Sequence, residues 1–176
     1  IPYSSDGNIT HELLIERTNS DLANVLGNLV QRTLAMTHKY FNGNITNQNI
    51  NDNFDQAFID KINDLKVNTD AKMDKLEVAN ALEDIISLLR ASNKYIDETT
   101  PWVLAKDEAN FSKLETVLYN LLEAIRVSGL LIGPFLPETG EKIIQQLNNT
   151  DTSLLFNNNN QYQVTEPTPL FERIQK

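Results

Sequence analysis

The chain has 176 residues, 40% of them hydrophobic, and a formal net charge of −9 at pH 7. This length and composition fit one compact domain with a substantial core, while the negative charge argues against a protein that grips nucleic acid through a broad basic face and leaves room only for a small local RNA contact. The absence of cysteine excludes disulfide bridges and cysteine-ligated zinc or iron–sulfur sites.

Targeting signals are not evident in the sequence. The first ten residues lack the basic and apolar regions of a signal peptide, and no apolar run approaches the roughly 20 residues that span a bilayer. We therefore expect a cytoplasmic protein with no membrane partner. Because the chain begins at Ile1 and not at an initiator methionine, we also expect a fragment whose functional partners lie outside it.

Apolar residues recur every three or four positions along most of the chain, which is the spacing of one face of an α-helix. We predict five helices, over residues 10–41, 51–73, 75–96, 114–132 and 137–147. The first carries a break near 18–20, and Asp52 or the residue before it caps the second. Prolines mark the ends of the third and fourth helices, at Pro101 and Pro134, and Pro137 opens the fifth.

The segments outside these helices are polar. "NGN" at 42–44 ends the first helix, and residues 154–156 form a short strand. "NNNNQYQ" at 157–163 and the "TEPTPLFERI" that follows indicate a loop and an extended tail. The predicted fold class is all-α, an antiparallel helix bundle of about five helices with an extended C-terminal tail. We assign the bundle to residues 1–150 and place the loop and tail, residues 151–176, in the same domain.

The residue types that usually carry catalysis form no recognisable site. His11 and His38 lie far apart without the spacing of metal ligands, so we place both on a solvated helix surface and predict no metal site. The sequence contains no glycine-rich nucleotide motif and no nucleophile elbow. Carboxylate pairs at 83–84 and 97–98 fall on helix surfaces or ends, where we expect solvation. We predict no catalytic residue in this chain.

Two polar residues border the apolar face of the first helix. Asn28 and Arg32 are one turn apart, and a helical projection puts them about 80 to 120° from the centre of the apolar stripe. Spacing alone favours a polar helix edge with Arg32 paired to a carboxylate. Trp102 is the single tryptophan, a residue more often found as a core anchor. Asn93 falls on the apolar side of its helix, where its amide needs a hydrogen-bond partner.

Three segments carry a family resemblance. They read "NSDLANVLGNLVQRTLAMTHKYFNG" (19–43), "NKYIDETTPWVLAK" (93–106) and "LYNLLEAIRVSGLLIGPFLPETGEKIIQQL" (118–147). In this order they closely resemble bacterial methionyl-tRNA synthetase, and the whole chain resembles its C-terminal anticodon-binding helical domain, with "PLFERI" at 169–174 similar to the closing tail. Synthetases for leucine, isoleucine, valine and cysteine share the bundle. The Asn-Leu-x-x-Arg helix combined with Pro-Trp favours methionine.

The resemblance implies which residues bind the anticodon. Asn28, Arg32 and Trp102 match the family's recognition residues, and Pro101 shapes the wall beside the ring. The family prefers cytosine as the first anticodon base; a tryptophan can stack on a splayed base, an asparagine carbonyl can accept from the cytosine amino group, and an arginine can donate. Supporting candidates near this site are Asp97, Asn93 and Lys39. Candidates for phosphate contact are Arg17, Lys39 and Lys106.

The resemblance also implies the activity of the complete enzyme. That enzyme joins methionine to ATP as methionyl-adenylate and transfers the methionyl group to methionine tRNA. ATP, magnesium and, in members with a zinc-bearing insertion, zinc belong to the catalytic domain of the same chain, so we expect this fragment to need no cofactor and to be inactive alone. Many members continue into a dimerising tRNA-binding module, which would make the full-length protein a homodimer.

Two other functions stay open from the sequence. The bundle of another class I synthetase would bind a tRNA with a different anticodon. A helical protein-interaction module would hold a partner helix in an exposed apolar groove and would show no dependence on anticodon sequence.

Overall fold

The structure is a computed structural model that describes residues 5–168, with side chains described for Glu16 and from residue 19 onward. Its helices are α1 (Ser5–Phe41), α2 (Asn53–Asp74), α3 (Val78–Thr99), α4 (Pro101–Leu104), α5 (Phe111–Ile132) and α6 (Pro137–Leu147). A 3-10 turn, Glu108–Asn110, precedes α5, and two short strands are β1 (Asn44–Thr46) and β2 (Gln161–Gln163). The all-α bundle is confirmed. The "PLFERI" segment lies outside the described residues.

The α5 helix lies at the centre of the bundle. Every residue from Thr116 to Gly129 is buried, because α1, α2, α3 and α6 all pack against this helix. The apolar stripes of α1 and α3 supply the facing side of the core, with Leu22, Leu26 and Leu29 fully buried. Among the described helices, none combines the length and the apolar character that crossing a membrane requires.

The predicted cap of α2 is confirmed at Asp52. Its carboxylate accepts hydrogen bonds from the backbone N–H groups of Phe54 at 2.9 Å and Asp55 at 3.1 Å, and the Asp55 carboxylate accepts from the Asp52 N–H at 3.0 Å. This reciprocal arrangement is a capping box. The hydrogen bonds from Asp55 also hold the pKa of Asp52 below its ordinary value.

The predicted break in the first helix and several predicted helix bounds are wrong, among them the starts of α1, at Ser5 and not 10, and of α5, at Phe111 and not 114. The α1 helix runs through 18–20 without a break, because burial of the following leucines outweighs the weak helix preference of Asn19 and Ser20. The third helix begins at Val78 and not at Lys75, since the chain reverses there through Leu76, whose φ of 58° is left-handed. That helix also continues past Ile96 to Thr99.

The predicted strand at 154–156 is wrong, and two unpredicted strands form instead. β1 and β2 pair in antiparallel fashion with Ile45 opposite Tyr162. Both of these side chains are buried while their strand neighbours are exposed, which is the alternation expected of a half-buried ribbon. The segment 157–163, predicted as loop throughout, therefore ends in β2. Runs of three residues are too short for alternation to be detected in the sequence.

The predicted solvated surface for His38 is wrong. Its ring is half-buried, with Nε2 2.7 Å from the carbonyl oxygen of Thr165 and Nδ1 3.7 Å from the Glu166 carboxylate. Gly43, at φ 86°, makes this contact feasible because a Cβ there would lie 2.9 Å from the His38 ring. His38 thus links the end of α1 to the segment after β2.

One predicted solvated acid is also paired. Asp84 is half-buried and forms an ion pair with Lys72 across the α2–α3 hairpin. The prediction of solvation at this position is wrong, because the reversal of the chain after α2 brings a lysine of the preceding helix beside it.

A buried ion pair anchors the Asn-rich loop that follows α6. The carboxylate of Glu123 and the guanidinium of Arg126 are fully buried and joined by two 2.9 Å hydrogen bonds. Glu123 also accepts from Asn157 N and from the Asn160 side-chain amide, both at 2.7 Å. We call these residues, with Tyr162, the Glu123–Arg126 cluster. The hydrogen bonds of this cluster take the place of the water that would solvate the two charges at the surface.

Charge balance within this cluster keeps Arg126 ionised. Burial alone would lower the pKa of Arg126, but the hydrogen bonds and negative charge of Glu123 raise it above its ordinary value. Burial and the Glu123 carboxylate raise the pKa of Tyr162, which donates its hydroxyl hydrogen to that carboxylate. The guanidinium also donates to the carbonyl oxygens of Asp151 at 3.1 Å and Leu155 at 2.8 Å. The loop is therefore fixed to the middle of α5.

Candidate functional site

The polar edge of α1 faces the end of α3. Asn28 is exposed and Arg32, one turn later, is half-buried. Between them Leu29 is fully buried, and Thr33 beyond Arg32 is buried as well. The apolar face of α1 therefore fixes the helix against the core while its edge presents an amide and a guanidinium side by side.

Arg32 makes two contacts across this junction. Its Nη2 donates to Oδ1 of Asp97 at 2.9 Å, as the sequence predicted for a carboxylate partner. Its guanidinium carbon lies 5.9 Å from the centroid of the Trp102 ring, within cation–π distance. The Asp97 side chain is 65% exposed, so solvent screens the ion pair and it contributes little stability. These contacts orient the Arg32 guanidinium but hold it only weakly.

The turn between α3 and α4 presents Trp102. Pro101 is buried at the first position of α4, and its fixed φ suits a helix start. Trp102 follows and remains 42% exposed, which differs from the buried anchor that a lone tryptophan usually is. A substantial part of a large aromatic ring therefore stays exposed beside Arg32.

A cluster of hydrogen-bonded polar side chains fixes the end of α3 on its buried side. Tyr95 donates its hydroxyl hydrogen to Asp55 at 2.5 Å and accepts from the Asn120 amide at 3.1 Å, while Lys113 pairs with Asp55. Burial and the Asp55 carboxylate raise the pKa of Tyr95, so its hydroxyl stays protonated. The Tyr95 carbonyl accepts from Thr99 Oγ1 at 2.7 Å. The last turn of α3 is thus fixed to α2 and α5.

The supporting candidates lie in different surroundings. Lys39 is exposed, with Nζ 5.6 Å from the Tyr40 ring. Asn93 is half-buried, and its amide donates to the Leu89 carbonyl of its own helix at 3.3 Å. Its predicted hydrogen bond exists, but it points away from Trp102 toward the preceding turn. Of the three supporting candidates, only Asp97 contacts a recognition candidate among the described residues.

Lys106 and Arg17 are the two other candidates for phosphate contact. Lys106 is exposed shortly after α4, and the side chain of Arg17 lies outside the described part of the chain. Within the described residues, no group of three His, Cys, Asp or Glu side chains is placed to hold a metal ion.

The side chains of Asn28, Arg32 and Trp102 can bind a single flat ring with a polar edge. Trp102 offers a stacking face, Arg32 offers several N–H donors of which the bond to Asp97 uses one, and Asn28 offers both a donor and an acceptor. An unpaired nucleobase has a π face and a polar edge that match this set.

Residue-by-residue inspection of the sequence missed two parts of this site. Thr100, which forms the turn before Pro101, has a left-handed backbone with φ 45°, and a threonine gives no signal for that conformation. Tyr95 and Asp55 meet across 40 positions, a pairing that no local pattern encodes. The capping position of Asp55 was the one signal that this acid has a structural function.

Comparison with known proteins gives the family. Residues 46–174 match a family model described as the anticodon binding domain of methionyl tRNA ligase. The chain is 51% identical to the methionine–tRNA ligase of Clostridium acetobutylicum over 84% of its own length and 23% of that protein. It is 40% identical to the Bacillus subtilis methionine–tRNA ligase over 99% of its length and 28% of that protein. It therefore spans about a quarter of these relatives.

A solved structure agrees with these sequence relatives. The apo form of Mycobacterium tuberculosis methionyl-tRNA synthetase superposes with a TM-score of 0.81 and 32% sequence identity, covering 99% of this chain and 35% of that chain. The family model alone matches well over half of the residues. The chain therefore belongs to the anticodon-binding domain family of methionyl-tRNA ligase.

Proposed function

We propose that the surface formed by Asn28, Arg32, Pro101 and Trp102 binds the CAU anticodon of methionine tRNA. The observation that carries this proposal is the exposed Trp102 ring beside Arg32, 5.9 Å from the guanidinium, with the Asn28 amide one helical turn away. The buried Pro101, next to Trp102 in the chain, and the buried Leu29, next to Asn28, support a fixed geometry.

The chemistry of the site favours cytosine as the first base. Cytosine presents an amino donor beside two acceptors, so the Asn28 carbonyl can accept while Arg32 donates. Uracil replaces the amino donor with a carbonyl and protonates the ring nitrogen, which leaves partners unmatched. An unmatched buried partner costs about 1–3 kcal/mol, equivalent to about 5- to 150-fold in affinity. A few residues can therefore carry the specificity of a strongly acidic chain.

We propose that the protein to which this segment belongs is a methionyl-tRNA ligase. Its catalytic domain would use ATP and magnesium, with zinc in any zinc-bearing insertion, to attach methionine to the tRNA in the cytoplasm, and a further module would make it a homodimer. We also propose that residues 151–176 belong to the same domain as the bundle, 1–150. The hydrogen bonds of Arg126 to Asp151 and Leu155 support that assignment for the described part of the segment.

Anticodon stem-loops that differ only in the first base test the proposal. We expect the chain to bind the CAU stem-loop at least about fivefold more tightly than the UAU stem-loop, measured by fluorescence anisotropy of labelled RNA. Equal affinity for both would contradict the proposal. A preference for another anticodon would favour a different class I synthetase, and indifference to RNA with affinity for a helical peptide would favour an interaction module.

Asn28→Asp should weaken binding of the CAU stem-loop by roughly tenfold. The substitution keeps an oxygen acceptor for the cytosine amino group, but it puts a negative charge one turn before Arg32, where the carboxylate competes for the guanidinium and repels phosphate. Asn68→Asp is the matched control. Asn68 is exposed on α2, away from Trp102, and its substitution makes the same change of charge. Equal affinities of the two variants for the CAU stem-loop would show that Asn28 is not part of the binding site.

A further inference from the structure

Thr100 has a backbone conformation that its side chain disfavours. It is the residue after α3, with φ 45° and ψ 67°. In this left-handed region Cβ crowds the following carbonyl oxygen, and glycine or asparagine usually occupies such a position at a helix end. A β-branched residue there is a genuine outlier. The proline that follows restricts Thr100 further.

The other left-handed residues place Thr100 in context. Among the described non-glycine residues with positive φ, three are asparagines, and the fourth besides Thr100 is Leu76 in the α2–α3 turn. Leu76 is 83% exposed and lies at the opposite end of α3 from Trp102. Thr100 is therefore the one β-branched case among them, and it lies two residues before the exposed ring.

Hydrogen bonds on both sides hold Thr100 in this conformation. Its N–H donates to the Ile96 carbonyl at 3.0 Å and closes α3. Its own carbonyl accepts from the N–H of Val103 at 2.9 Å and opens α4. One residue thus ends one helix and begins the next, and its left-handed φ changes the direction of the chain between them. Strained backbone of this kind persists where the surrounding structure determines it.

We infer that Thr100 is a positioning residue, whose left-handed backbone sets the place of the Trp102 ring beside Arg32. The threonine side chain narrows the conformations available to this turn, whereas glycine would open many more. The link to base recognition rests on the proposed function. The effect on the ring itself does not, because it can be measured without RNA.

The single tryptophan of the chain makes the inference testable. Fluorescence excited at the red edge of tryptophan absorption, where the five tyrosines absorb little, reports on Trp102. Thr100→Pro cannot adopt a positive φ, so its emission should shift to the red and its acrylamide quenching should rise toward that of free tryptophan. Thr100→Gly should lower the fluorescence anisotropy of Trp102 and reduce the preference for CAU over UAU. Thr100→Asn, which tolerates the left-handed region, should keep both close to wild type.

Leu76→Gly is the matched control, since it relieves a left-handed residue far from the ring. It should leave Trp102 fluorescence unchanged, and circular dichroism should show that all variants retain their helices. If Thr100→Pro disrupts the bundle, the results for Thr100→Gly alone test the inference. Wild-type fluorescence and RNA preference in Thr100→Gly would overturn the inference. If Thr100→Gly frees the ring but wild type does not distinguish CAU from UAU, the inference stands and the proposed function fails.

Discussion

Trp102→Ala is expected to weaken binding of the CAU anticodon stem-loop by about 5- to 150-fold, because a base stacked on an aromatic ring contributes roughly 1–3 kcal/mol. The ring is 42% exposed, so its removal should cost the folded state much less than removal of a buried aromatic residue. Binding is measured by anisotropy of labelled RNA, and thermal unfolding followed by circular dichroism checks that the variant is folded.

Two further variants sharpen this result. Val103→Ala truncates the neighbouring exposed side chain, which is 48% exposed, and should bind RNA like wild type. Trp102→Phe keeps an aromatic face and should recover part of the lost affinity. If folded Trp102→Ala binds the CAU stem-loop within about twofold of wild type, stacking on this ring is not the basis of recognition.

Arg126→Met is expected to lower the free energy of unfolding by about 3–5 kcal/mol, because it leaves the Glu123 carboxylate buried without its cation. The methionine roughly fills the space of the arginine stem, so a lost charge partner and not a large cavity dominates the effect. The three described carbonyl contacts of Arg126, to Asp151, Ser153 and Leu155, are lost as well. Urea denaturation followed by circular dichroism measures the change.

An exposed ion pair provides the comparison. Lys66 and Asp70 form a 2.8 Å pair one turn apart on α2 with both side chains about half exposed, so Lys66→Met should change stability by less than about 1 kcal/mol. Adding Glu123→Gln to Arg126→Met should restore part of the loss, since it removes the unpaired charge. An Arg126→Met variant no less stable than Lys66→Met would show that the buried pair is not what holds this loop.

Local patterns predicted the helices better than their connections. Apolar spacing identifies α1, α2, α3 and α6 because each turns one stripe toward a common core, and it identifies α5 although that helix is buried on all sides. The start of α3 was misplaced because a leucine takes the left-handed conformation at residue 76, where glycine or asparagine would have signalled the turn. The strands were missed because β1 and β2 become strands only by pairing with each other.

The candidate site was predicted through resemblance and not through spacing. Spacing alone indicated a polar edge at Asn28 and Arg32, and a carboxylate partner for Arg32 without naming it. The partner is Asp97, 65 positions away, which only the packing of α1 against α3 brings close. The Glu123–Arg126 cluster was invisible for the same reason, since an i, i+3 pair on a helix is ordinarily a surface pair and its other partners follow α6.

The contact between His38 and Thr165 joins residues 127 positions apart. Closing a chain segment of that length costs about 4 kcal/mol in its length-dependent entropy alone. The α2–α3 hairpin closes over far fewer residues, so it can form before this contact does. We therefore expect the β1–β2 ribbon and the His38 contact to complete folding after the helices have assembled. We also expect them to open first in native-state hydrogen exchange, at the end of α1 and after α6, while the amides of α5 stay protected.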